Sequence, residues 1–409
     1  MNNKKNYKGV VFKFCCCLLV VVSLFLISYT IKSYNEINSG YQNASVLNNI
    51  ENKNVQLEKL NDKCKAYYLV EYESGKVLSS FNEDEKYQIA SMVKIMSASI
   101  VFDKIKEKKL GLEESVEISE RASQIEGSKV LLDKGSKHKV KDLLKSVIVC
   151  SANDSVLALA EKIAGTEENF VDLMNEKVTK LGLKNTKFVN ATGLPLENQY
   201  STARDVAIML KDLMQNPLYF EYCKIWLEDY NHPSGRKTSM TNTNKLIKYY
   251  KGCDSGKTGY TSVAKHCLAA SASRNNTRFI SVCIGGNTSK ERFYTVSELF
   301  NYGFTNYSNR VIVNKGQKVG EVKILGGNKK TVPILAKENI SIFAKNNEKI
   351  KYDYEVVSLN VKAPIKKGQK VALLRLKTEG YVKDFELVAG ENIEKQNYIN
   401  SINDILTFW

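Results

Sequence analysis

Apolar and polar positions change their rhythm several times along the chain. From Phe14 to Ile31 no charged residue interrupts an apolar run, and Lys4, Lys5, Lys8 and Lys13 precede it. At helical rise the run would span roughly 27 Å, close to the thickness of a bilayer's hydrocarbon core. It reads as an export signal or a membrane anchor, and the lysines before it place the N-terminus in the cytoplasm and everything after Lys32 outside. No clear small-x-small cleavage site follows, Ser28 and Thr30 being the nearest approach, so an uncleaved anchor is the expectation. Residues 33–63 are polar and asparagine-rich, with few large apolar side chains, and read as a tether.

The pattern then becomes that of a packed domain over residues 64–305. Two short strand-like runs, AYYLVEY and KVLSSF, flank the turn ESG and predict a hairpin. Helical periodicity follows to about Lys109, where Gly111 ends it. VKDLLKSVIVC and SVLALAEKIAG predict two further helices, with Ser151 and Asn153 in the turn between them. Late in the domain HCLAASAS and RFISVCIGG read as inner strands of an antiparallel sheet. The expected class is α/β of the α+β kind, an antiparallel sheet flanked by helices. From 306 to 397 short runs such as RVIVNKG, TVPILA and KVALLRL, separated by Gly, Lys and Asn turns, predict a small all-β domain. Residues 398–409 place Ile399, Ile402, Ile405, Leu406 and Trp409 at helical spacing. So short an amphipathic helix is marginal in water and must dock on a bilayer interface or on its own domain.

Composition adds location rather than chemistry. With 409 residues, 43% hydrophobic and 25% charged, the chain is ordinary for a globular protein, but its net charge of +16 attracts it to anionic polymers and lipid head groups. Nucleic acid is not an expected partner, because the lysines form no single stripe and an exported chain does not meet it. Of nine cysteines, three lie in the apolar run. The others, Cys64, Cys150, Cys223, Cys253, Cys267 and Cys283, form no Cys-x-x-Cys pair, which argues against zinc and thioredoxin-like chemistry. Pairing of some of them in an oxidising compartment stays open.

Candidate chemistry begins in ASMVKIMSA. Ser91 and Lys94 stand one helical turn apart on one face, so an amine can reach a hydroxyl that needs a base to become nucleophilic. Other Ser-x-x-Lys spacings occur at Ser136, Ser234 and Ser262, but only Lys94 has an apolar frame that predicts burial and hence a lowered pKa. None of the three histidines adjoins a promising serine. Ser-x-Asn at Ser151 and Asn153 recurs elsewhere by chance, whereas Lys257-Thr258-Gly259 is unique in the chain. A cation and a hydroxyl suit a ligand ending in a carboxylate, and the glycine suits close approach of a substrate backbone to a strand.

Ser-x-x-Lys, Ser-x-Asn and Lys-Thr-Gly in this order resemble the motif set of serine penicillin-recognising enzymes. With YESGKVL, FVNATGLP, STARDVA and GKTGYTS, the wider pattern is similar to low-molecular-mass D-alanyl-D-alanine carboxypeptidases. The resemblance implies a beta-lactamase/transpeptidase-like catalytic domain and a β-rich C-terminal domain. It implies a substrate too, a peptidoglycan stem peptide ending in D-Ala-D-Ala. Beta-lactam antibiotics would be covalent ligands and the cytoplasmic membrane a partner, with no cofactor and no metal. By position, Ser91 would be acylated with Lys94 as its base, and Ser151 would relay a proton. Asn153 would orient the substrate amide, Lys257 and Thr258 would hold the terminal carboxylate, and the amides of Ser91 and Tyr260 would form the oxyanion hole. An endopeptidase or transpeptidase on the same wall peptides is the alternative reading. A serine β-lactamase is disfavoured by the lack of Glu-x-x-x-Asn between Ser155 and Gly256, and an inactive wall-binding module by three intact motifs. The chain departs from the family in one place, where Ala264 is followed by lysine, Lys265, instead of glycine.

Overall fold

The structure is a computed structural model that describes residues 57–378 and 381–396. The predicted N-terminal apolar run and C-terminal helical tail lie outside the described residues. Among the described residues no helix is long and apolar enough to cross a membrane. The stretch read as a tether closes with a 3-10 turn, Leu57–Leu60, whose Leu60 is buried.

The expected hairpin is β1 (Ala66–Glu71) and β2 (Val77–Phe81). It joins β3 (Cys253–Thr261), β4 (Lys265–Arg274) and β5 (Thr277–Gly286) in one antiparallel sheet of order β2-β1-β5-β4-β3. Alternation along these strands is apolar on both faces. Ala66, Tyr68, Ala269, Ile280 and Val282 face one hydrophobic cluster, and Tyr67, Leu69, Leu268, Phe279 and Cys283 face another. The sheet is therefore the middle layer of three. Helix α6 (Ser289–Asn306) covers the second face, and the helices that precede β3 in sequence build the layer on the first.

At the centre of that helical layer is α1 (Lys94–Lys106). Every residue from Lys94 to Phe102 is buried, so it lacks the polar stripe of a surface helix. Around it stand α2 (Val140–Val149), α3 (Asn153–Ala164), α4 (Glu167–Lys180) and α5 (Ala203–Leu213). A buried ion cluster ties three of them together: Lys177 Nζ of α4 lies 2.6 Å from Asp103 of α1 and 2.7 Å from Asp212 of α5. Ser99 Oγ completes the cluster, accepting from Lys177 at 2.6 Å and donating to Asp212 at 2.5 Å. Buried charges persist when paired and hydrogen-bonded in this way.

The sequence expectation placed Lys257-Thr258-Gly259 at the start of an inner strand. The triplet instead lies past the middle of β3, the edge strand. The edge is buried because the 3-10 turn Ala90–Val93, which leads into α1, packs against it. Gly259 also has a nearer reason than substrate approach. A Cβ there would sit 2.6 Å from Ile89 O and 3.1 Å from Ser91 N, so the glycine lets the turn of Ser91 close on the strand.

α6 runs into β6 (Tyr307–Val313) without a linker, and β6 pairs with β9 (Ile340–Lys345). A second five-stranded sheet, of order β7-β8-β12-β11-β10, is built from β7 (Lys318–Lys323), β8 (Thr331–Ala336), β10 (Tyr352–Ser358), β11 (Lys370–Thr378) and β12 (Tyr381–Ala389). Val332, Ile334, Leu374, Leu376 and Leu387 fill its core. Phe343 leaves that core and packs edge-on against Phe279 at 5.9 Å, which seats the all-β domain on the catalytic sheet.

Lys265, the departure from the family's glycine, closes the β3–β4 turn at φ +58°. An L-residue in that region costs about 1–2 kcal/mol. Replacing Lys265 by glycine is therefore expected to stabilise the fold by about 1 kcal/mol. The check is a urea midpoint that rises at unchanged slope; a fall would mean that the side chain makes a compensating contact.

Candidate active site

The reactive pair is set by a strained entry to α1. Ala90 takes φ +48°, the chain makes one 3-10 turn, and Lys94 begins the α-helix. Lys94 Nζ lies 3.1 Å from Ser91 Oγ and donates at 2.6 Å to the carbonyl of Thr192. It is 1% exposed. Burial, helped by the positive charge of Lys257, holds its pKa well below that of an ordinary lysine. The shift favours the neutral amine, the form that a base requires.

The Thr192 carbonyl was not foreseen, although its stretch, FVNATGLP, was noted. Asn190 Oδ1 builds the loop by accepting from Gly193 N at 2.7 Å and Thr192 N at 3.3 Å. Glu167 accepts from Ala191 N at 2.9 Å. Gly193, at φ +83°, passes so close to Ala90 that a Cβ would be 2.9 Å from Ser91 N. Only a glycine lets this loop reach the lysine.

Ser151 sits in the turn between α2 and α3 as predicted, at φ +67°. Asn153 is already the first residue of α3. Next to it, Asp154 accepts from Val130 N and Leu132 N, each at 3.1 Å, and holds a loop whose Glu126 carbonyl receives Asn153 Nδ2 at 2.6 Å. Both Ser151 Oγ and Asn153 Oδ1 are buried without a hydrogen-bond partner. Unsatisfied buried polar groups are costly and mark a place for a polar ligand.

Lys257 lies 5% exposed on β3, and its Nζ has one partner, the carbonyl of Thr258 at 3.2 Å. Burial first, then the Arg292 charge, bring its pKa down to about 7. Lys94 and Lys257 line one small cavity together with Gly256 and Tyr219, and the charge of Lys257 acts on Lys94. Thr258 is buried beside Lys257, while Tyr260 is 58% exposed and stacks at 4.4 Å on His266. Arg292 of α6 donates to Gly259 O at 3.0 Å, a contact that the sequence reading missed because the residue lies 32 positions after Tyr260 in no recognised motif. Cys150 is half-buried and its thiol is pushed up to about 11 by burial, so it is not a competing nucleophile.

A hydroxyl beside a buried amine whose pKa is lowered, with a second buried lysine whose charge contributes to that lowering, suits acyl transfer through a serine ester. Comparison with known proteins agrees. A family model for D-alanyl-D-alanine carboxypeptidase matches residues 51–288, and one for the C-terminal domain of penicillin-binding protein 5 matches 307–395. The D-alanyl-D-alanine carboxypeptidase DacF of Bacillus subtilis is 36% identical over 86% of this chain and 91% of its own length. Among solved structures, penicillin-binding protein 5 of Haemophilus influenzae is 32% identical with a TM-score of 0.63, over 81% of this chain and 98% of that one. A peptidoglycan synthesis regulatory factor (PBP3) of Streptococcus pneumoniae is 26% identical with a TM-score of 0.72, over 81% of this chain and 99% of that one. The chain belongs to the serine-type D-alanyl-D-alanine carboxypeptidase family.

Two outcomes follow from the lysines. Lys257 is a cation below about 7 and loses its charge above it. For a substrate with a free terminal carboxylate, kcat/KM is expected to fall as pH rises past 7, and the fall should vanish when that carboxylate is amidated. Lys94 binds a proton more readily unfolded than folded, so its presence lowers stability at neutral pH, and the deficit shrinks as pH approaches its unfolded value. Lys94→Met is expected to abolish acylation yet raise stability by about 1 kcal/mol at pH 7, as read from urea unfolding.

Proposed function

We propose that the chain removes the terminal D-alanine from wall stem peptides through an ester on Ser91. The observation that carries this reading is the 3.1 Å contact between Ser91 Oγ and the amine of Lys94, a side chain 1% exposed. Ser91 Oγ attacks the carbonyl of the penultimate D-alanine while Lys94 Nζ takes its proton. The oxyanion collects at the backbone amides of Ser91 and Tyr260, each such donor being worth about 3 kcal/mol. Asn153 Oδ1 accepts from the substrate amide, and Lys257 and Thr258 hold the terminal carboxylate. Ser151 relays the proton that Lys94 has taken to the nitrogen of the leaving D-alanine as the peptide bond breaks, which returns Lys94 to its neutral form. Water, deprotonated in turn by Lys94, then hydrolyses the ester and restores the serine. A β-lactam undergoes the same attack with its ring amide as the bond broken, but its leaving nitrogen stays tethered in the cleft.

The setting is the outer face of the cytoplasmic membrane. Support comes from the lysine-flanked apolar run at residues 14–31, the amphipathic pattern of residues 398–409 and the net charge of +16.

The purified protein from Ser33 onward is expected to release free D-alanine from a peptide ending in D-Ala-D-Ala and to bind fluorescent penicillin covalently. Ser91→Ala should abolish both, and Ser151→Ala should slow release by about 100-fold or more. Labelling that persists in Ser91→Ala would name another nucleophile. Cleavage of a cross-linked dimer with no free D-alanine would assign an endopeptidase instead.

A further inference from the structure

At the surface, among the described residues, a half-buried tryptophan meets a half-exposed tyrosine. Trp226 and Tyr249 meet at 5.9 Å with ring planes 76° apart, forming a corner. Lys248 Nζ sits in its angle, 5.0 Å from the Trp226 centroid and 5.6 Å from that of Tyr249. Tyr249 is 50% exposed, and Leu227, beside Trp226, is 61% exposed. Aromatic rings left in water beside an amphipathic lysine are characteristic of recognition surfaces.

The corner is braced against both walls of the cleft by the segment Asn242–Asn244. Asn242 N donates to Trp226 O at 2.8 Å, and its Nδ2 donates to Cys223 O at 2.8 Å and Ile225 O at 3.0 Å. Thr243 N donates to Val149 O at 3.2 Å, two residues before Ser151. Asn244 Nδ2 donates to Ser255 O at 3.3 Å, two residues before Lys257, while its Oδ1 accepts from Leu246 N at 3.1 Å and starts the helical turn that carries Tyr249. Asn242 and Asn244 are buried, so the connection is rigid rather than a surface loop.

We propose that Trp226 and Tyr249 bind a sugar ring of the glycan strand from which the stem peptide hangs. A pyranose has an apolar face of C–H groups that lies against an aromatic ring, and hydroxyl and acetamido groups at its edge. The corner offers rings for the first and the Lys248 ammonium for the second. The assignment rests on the carboxypeptidase reading for the identity of the substrate, and it adds a second point of contact outside the cleft.

The test compares one stem pentapeptide ending in D-Ala-D-Ala, free and attached to an N-acetylglucosaminyl-N-acetylmuramyl disaccharide. Wild-type protein is expected to prefer the disaccharide form by about tenfold in kcat/KM, a factor worth about 1.4 kcal/mol. Trp226→Ala and, independently, the surface change Tyr249→Ala should erase the preference and leave the rate on free peptide unchanged. In parallel, peptide-stripped glycan should quench tryptophan fluorescence in wild type and not in Trp226→Phe. Equal rates on the two substrates with no quenching would overturn the proposal. So would self-association that Tyr249→Ala abolishes without touching the preference, since the corner would then hold a second copy. Quenching without any release of D-alanine would retain the glycan site and remove the carboxypeptidase reading instead.

Discussion

A lysine side chain taken almost wholly out of water, next to a serine, is the constraint to which the catalytic domain is fitted. Burying an ammonium without a counter-ion costs far more than a single hydrogen bond returns, so the group gives up its proton. No carboxylate pairs with Lys94; its partners are a hydroxyl and a backbone carbonyl. The contrast with Lys177 is instructive. That lysine is nearly as buried but sits against two carboxylates, and the ion pairs tie helices together. Two buried lysines in one helical layer thus serve opposite ends, decided by whether an acid stands within 3 Å.

Keeping Lys94 dry requires covering it, and the cover explains several otherwise unrelated residues. Gly193 and Gly259 approach the Ser91 turn from a loop and from the edge strand, and neither has room for a Cβ. The loop of Gly193 is long and irregular, so its backbone groups need partners, which Asn190, Asn175, Gln199 and Glu167 supply. Backbone strain gathers at the same place: Ala90 and Ser151 both adopt positive φ beside the reacting groups. Such conformations persist only where the surroundings over-determine them.

Much of this was legible before any coordinates. The hairpin, the helices on either side of Ser151, the inner strands and the all-β end follow from periodicity, because strands of period two and helices of period 3.6 leave different apolar stripes. The packing of the Ser91 turn on the strand that carries Lys257 was legible only through motif order, since periodicity says nothing of contacts between segments so far apart. The edge position of β3 was misread for a physical reason. An edge strand covered by a 3-10 turn is as apolar as an inner one, and its burial pattern reads the same. The Thr192 contact escaped because it is made by a main-chain carbonyl, which every residue possesses and no motif records. Gly259 was recognised for the approach of a ligand, but the close approach of the protein's own Ser91 turn, which it also permits, left no trace in the pattern.

The two cleft lysines also divide their labour by hydrogen-bond capacity. An amine has three directions for partners. Lys94 uses one on Ser91 and one on Thr192, so it is oriented before any ligand arrives. Among the described residues Lys257 has a single long contact, to the carbonyl of the residue that follows it, and so retains unused donors, while Ser151 Oγ and Asn153 Oδ1 are likewise unpartnered. A molecule with an anion at one end and an amide nearby can satisfy all three at once. A hydrophobic molecule of the same size would leave each of them unpaired at a cost of about 1–3 kcal/mol apiece. Selection for a carboxyl-terminated peptide therefore comes as much from what the empty cleft leaves unsatisfied as from the contacts it offers. In the proposed mechanism a base free to swing towards the carboxylate would pair with it and recover its proton, which the two contacts already held by Lys94 oppose.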